Sequence, residues 1–126
     1  MVNFEKVSKY IDVHLNEHIK KLQEFLRQPS VSAENYGVRE CAELLKSYFA
    51  KLGCKNARLI ETKNFPVVYG EYDAHAEKTL LVYMMYDTQP FTGEKWISPP
   101  LEARLVDIEP FGKCVIARGA INTKGP

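Results

Sequence analysis

Thr79-Leu80-Leu81-Val82-Tyr83-Met84-Met85-Tyr86-Asp87-Thr88-Gln89-Pro90 is the stretch on which the fold turns. Leu80 to Met85 is an unbroken apolar run. It is far too short to cross a membrane. It lacks the alternation of a half-buried strand, and so predicts a strand over Thr79–Met85 covered on both faces, as in the middle of an α/β sheet. The run ends at Asp87. From there to Pro100 the chain holds Pro90, Pro99, Pro100, Gly93 and Trp96, a composition that predicts a loop.

Upstream the period is helical. Phe4, Val7, Ile11, Leu15, Ile19, Leu22, Phe25 and Leu26 recur on one face, predicting a helix from Asn3 to Arg27. Asn3 suits its N-cap, and Pro29 stops it, because the residue before a proline is driven out of the α region. Ser30 to Asn35 is a polar connection. Val38, Cys41, Ala42, Leu45, Tyr48, Phe49 and Leu52 predict a second helix over Tyr36–Leu52, with Gly53 placed to terminate it. Further strands are expected at Ala57–Thr62, Pro66–Tyr72, Leu101–Ile108 (antiparallel or edge) and Lys113–Ala117. Two helices followed by a strand-rich half predict an α/β layer on a mixed β-sheet. The end, Lys124-Gly125-Pro126, reads as the start of a further helix. We therefore expect a partial domain, or one completed by another segment.

The chain has 126 residues, 45% of them hydrophobic and 26% charged, with a formal net charge of +1. That suits a single globular domain and gives no basic stripe for nucleic acid or an anionic membrane. Cys41, Cys54 and Cys114 are odd in number and widely spaced. They read as reduced thiols of a cytoplasmic protein rather than a disulfide framework. No apolar leader follows the polar N-terminus.

His14-Leu15-Asn16-Glu17-His18 matches H-x-x-E-H, the pattern of inverted zinc peptidases. Residues four apart share a helix face, so both imidazoles could grip one ion. At about 100° per residue, however, His18 falls inside the apolar stripe, His14 on its edge, and Glu17 toward solvent. With no third ligand in view, the pair is read as boundary histidines.

Two other segments carry a family resemblance. Leu80 to Pro90 resembles the buried strand ending in His-x-Asp, continued by x-Gln-Pro, of the zinc metallopeptidase family that includes acetylornithine deacetylase, aminoacylase, glutamate carboxypeptidase and the cytosolic dipeptidases. Its last residues are most like the dipeptidase branch. Ala117-Arg118-Gly119-Ala120-Ile121-Asn122-Thr123-Lys124-Gly125-Pro126 resembles that family's Arg-Gly-Ala-x-Asp-Asp-Lys-Gly-Pro. The connection Gln28-Pro29-Ser30-Val31-Ser32, Trp96, Pro99-Pro100 and Gly112 also fall where the family has them.

The resemblance implies the N-terminal portion of a zinc-exopeptidase-like three-layer domain, lacking the lid and dimerisation domain. It implies zinc as cofactor, and a substrate that is a dipeptide or N-acyl amino acid. Asp87 takes the place of the catalytic carboxylate behind the metal ligands. Met85 stands at the position of the ligating His, and Asn122 at that of the bridging Asp. A thioether suits Cu(I) better than zinc, and a neutral amide bridges two dications poorly. The expectation is therefore that this chain by itself binds no zinc and is inactive. Three readings stand: a fragment completed by further Glu and His ligands from a C-terminal segment; a metal-free binding or self-associating module, a homo-oligomer; or, least favoured, an unusual site that tolerates Met85 and Asn122 with one metal instead of two. Each position also has a plainer role: packing for Met85, a turn for Asp87, a turn or N-cap for Asn122. Arg118 and Lys124 are expected to steady the local turn or sit in solvent, Cys114 to pack as a small apolar residue, and Trp96 to anchor its loop.

Overall fold

The computed structural model describes residues 3–121 and 124. Helix α1 spans Phe4–Arg27. The Asn3 side chain accepts from the Lys6 amide at 3.1 Å, satisfying one of the four N–H groups that a helix start leaves free. At the other end Gln28 is already extended, with ψ 117°, as the following Pro29 requires. A short 3-10 turn, Ser32–Glu34, leads to helix α2, Val38–Lys51.

Helix α2 closes as its sequence predicts. Gly53 has φ +82°; its amide donates to Ala50 O at 3.0 Å, and that of Cys54 to Phe49 O at 2.9 Å. This pair of bonds is the Schellman closure that a left-handed glycine permits. Strands β1 (Lys55–Ile60) and β2 (Val67–Glu71) follow as an antiparallel pair packed on α2, irregular in register between Lys55 and Arg58. Strands β3 (Arg104–Ile108) and β4 (Gly112–Ile116) form a second antiparallel hairpin. Where one mixed sheet was expected, the described residues hold these two hairpins and a single parallel bridge, Val31 to Thr88.

The core cluster sits where the end of α1 meets this second hairpin. Leu26 packs with Ala103 and Ala117, and Val115 lies against them. Val31, Val38, Cys41 and Ala42 are also buried. Polar bonds reinforce the contact: Gln23 Nε2 donates to Ala103 O at 2.7 Å and Arg27 Nε to Glu102 O at 3.0 Å. The rest of the apolar face of α1 is uncovered, with Phe4 76% and Ile11 48% exposed.

The expected strand at Thr79–Met85 is overturned. These residues form no strand, and the side chains stand open, Leu81 at 88% and Tyr83 at 83%. The physical reason is a lack of neighbours. A run apolar on both faces is stable as a strand only when paired at its edges and covered above and below. Here β1 pairs β2 and β3 pairs β4, and among the described residues no strand pairs with this run.

Gly37 is a tightly packed backbone position. Its φ is +69°, and a Cβ there would lie 2.6 Å from Pro29 O. Gly53 shares the left-handed backbone but has nothing within 4 Å of such a Cβ. Gly53→Ala is therefore expected to cost about 1–2 kcal/mol, the left-handed penalty alone. Gly37→Ala should cost distinctly more; equal midpoint shifts in urea unfolding would contradict the packing described.

Candidate functional site

The turn after α1 and the segment after the apolar run lie side by side. The Thr88 amide donates to Ser30 O at 2.8 Å, and Ser30 Oγ donates to Tyr86 O at 2.7 Å. Ser32 Oγ donates to Asp87 Oδ2, also at 2.8 Å. Asp87 is thus held at a half-buried position by a turn some 55 residues upstream in the chain. Beside it lies an open groove of about 280 Å³, walled by Val38, Phe65, Pro66 and Val67 and ending at Tyr86 and Asp87. Tyr86 OH donates to Pro66 O at 2.6 Å. Burial, then the nearby Cys41 and Asp87, push its hydroxyl up to about 12.

The second motif reaches the end of α1, next to the same turn, through Lys124. The Arg118 amide donates to Pro100 O at 2.8 Å. Its guanidinium bonds Pro90 O and Glu94 and lies 5.3 Å from the centre of the Trp96 ring, a cation–π contact. Trp96 is half-buried there, anchoring the loop as expected. Lys124 behaves differently from its expectation of a local or solvated role. It is only 5% exposed. Its Nζ donates to Phe25 O at 2.8 Å and to Gln28 O, with the Phe25 ring centre 4.7 Å away. The reason is that α1 ends with carbonyls that have no helical partner, and a cation at a helix C-terminus is favoured. Burial pulls the Lys124 ammonium below its usual value, an effect Cys41 opposes. Burial likewise pushes the Cys41 thiol up.

Of the positions the resemblance singles out, Asp87 is in this hub, and Met85 is 48% exposed at the end of the open run. Asn122 lies outside the described residues. His14 and His18 are half-buried boundary residues. Their ring centres are 6.2 Å apart, and His14 Nδ1 lies 2.8 Å from Tyr10 O. Glu17 faces solvent, paired with Lys21 at 2.7 Å. Among the described residues no three His, Cys, Asp or Glu side chains converge. Among the described residues, the donors at these positions, one carboxylate already engaged by Ser32 and an exposed thioether, do not fit a zinc site, which asks for nitrogen, thiolate or several carboxylate ligands. No described helix is long and apolar enough to cross a membrane.

No family model matches the chain, and no curated protein matches it. A solved structure does: the M20 family metallo-carboxypeptidase Sso-CP2 from Sulfolobus solfataricus. This chain is similar to an M20 metallo-carboxypeptidase. The likeness has 41% sequence identity and a TM-score of 0.73, and covers 82% of this chain. The chain spans about a quarter of the length of Sso-CP2, 23%. The likeness supports, at the level of the M20 family, the resemblance read from the two motifs. The two helices and antiparallel hairpins described above match a portion of the M20 peptidase fold.

Two outcomes follow from this geometry. Lys124→Met leaves the Phe25 and Gln28 carbonyls without their donor, and should cost about 1–3 kcal/mol in urea unfolding; an unchanged midpoint would mean that the contact contributes nothing. For Tyr86 the folded state holds its proton to about 12, against an ordinary 10.0. Between those values the native chain binds more protons than the unfolded one, so stability is full below pH 10 and falls as pH rises toward 12. Tyr86→Phe should flatten that fall and remove a late-titrating component from the tyrosinate absorbance.

Proposed function

We propose that this chain is part of the catalytic domain of an M20 family zinc amidohydrolase, its N-terminal portion, and that it does not hydrolyse substrate by itself. The observation that carries this reading is the likeness to the Sulfolobus metallo-carboxypeptidase at 41% identity over 82% of the chain. The substrates of the intact protein would be dipeptides or N-acyl amino acids with a free carboxylate, as the dipeptidase-like motif suggests. Zinc bound at such a site polarises the scissile carbonyl and activates water. Met85 and Asn122 leave this chain without two of the ligands that binding would need. What its own residues do is fix Asp87 beside the turn after α1 and hold the second motif against α1. Three free cysteines support a reducing compartment, the cytoplasm.

One observation favours a second reading, a metal-free module that associates with itself or another segment. The open run Leu80–Met85 is a large apolar surface for a chain this size.

Zinc per chain, measured by elemental analysis after saturation and gel filtration, tests the first reading. A value near zero is expected, rising in the double variant Met85→His, Asn122→Asp only when a C-terminal segment supplies the other ligands. One or two zinc ions on the unaltered chain would refute the loss of the site. Light scattering on the same fractions tests the second. Self-association through the run predicts an oligomer that Leu81→Lys with Tyr83→Lys converts to monomer; an oligomer unaffected by the pair would place the interface elsewhere.

A further inference from the structure

The Asp87 carboxylate is steered by a residue outside both motifs. The main chain on either side of Asp87 is fixed first. Ser30 Oγ donates to Tyr86 O, and the Thr88 amide donates to Ser30 O; Val31 and Thr88 form a parallel bridge. These bonds set where Asp87 sits but leave its side-chain torsions free, and an aspartate has three staggered wells about χ1. The bond from Ser32 Oγ to Asp87 Oδ2, 2.8 Å long, chooses among them. It is a donor to an anion, the stronger class of hydrogen bond.

The donor is itself well supported. Val31, next to it, is fully buried, and its amide and carbonyl both bond Tyr36, at 2.8 and 3.1 Å. Gly37 lies so near Pro29 that a Cβ there would come within 2.6 Å of Pro29 O, and Lys124 donates to Gln28 O. A hydroxyl carried on so constrained a turn can impose an orientation rather than merely follow one.

We propose that Ser32 is a positioning residue that holds the Asp87 carboxylate in one orientation, with the turn from Pro29 to Ser32 as its rigid mount. In an M20 site that orientation is what lets the carboxylate support metal ligands, so the functional meaning rests on the reading given above. The orientation itself needs neither metal nor turnover.

The test is NMR on the whole labelled chain. The three-bond couplings from Asp87 Cγ to its amide nitrogen and carbonyl carbon report the χ1 populations. In the unaltered chain they should indicate one dominant rotamer. In Ser32→Ala they should move toward the average of the three wells, and Ser32→Thr, which keeps the hydroxyl, should restore the single rotamer. Amide exchange at Thr88 serves as the control for the turn and should be equal in all three. Couplings unchanged in Ser32→Ala, or already averaged in the unaltered chain, would overturn the proposal. So would loss of Thr88 protection in Ser32→Ala, which would make Ser32 a structural element only. A zinc measurement that sank the M20 reading would leave these couplings as they are, so the two failures are distinguishable.

Discussion

A helix that stops at a proline leaves its last carbonyls facing the interior without partners, and the way this chain meets that demand organises what surrounds it. Lys124 arrives from nearly the other end of the sequence to donate to Phe25 O and Gln28 O. A buried ammonium is costly unless its hydrogens are all used, and buried carbonyls are costly without donors. Each makes the other tolerable. The bond between them fixes the second motif to the end of α1, and so to the turn on which the Asp87 segment is laid. The core around Leu26, Val31 and Cys41 lies at this junction, where little apolar surface is buried elsewhere on α1.

The local elements were legible because their signals are local. Asn3, Pro29 and Gly53 punctuate the helices by backbone chemistry that does not depend on tertiary context, and all three act as read. The hairpin strands were found to within two or three residues, the usual uncertainty of an end that frays into its turn. Thr79–Met85 failed for the opposite reason. Its composition states what environment it would suit, and says nothing of whether the chain supplies that environment. Burial on both faces is a property of neighbours, not of the run.

The site was legible only in part. Asp87 could be singled out because a motif surrounds it. Ser30 and Ser32 looked like an ordinary polar connection, since a serine that bonds a carboxylate across the fold has the same sequence signature as one facing water. Lys124 was misread on similar grounds. Its acceptors are main-chain carbonyls, which every sequence has, so nothing in the pattern of side chains announces the contact. Met85 could be read as a departure from a motif, and the structure adds that its side chain stands in the open.

The exposed run has a consequence for the life of the chain before any question of catalysis. Leu80 to Met85 combines high strand propensity, no charge and no proline, the composition from which stacked intermolecular sheets nucleate. Its flanks carry residues of the kind that hold such segments apart: Glu77 and Lys78 before it, Asp87 and Pro90 after it. Charges and a proline set at both ends act as gatekeepers. They leave the run free to enter an ordered sheet, where its flanks can stay at the rim, while hindering the endless stacking of identical copies. It is the borders of the segment, rather than its own side chains, that oppose such stacking.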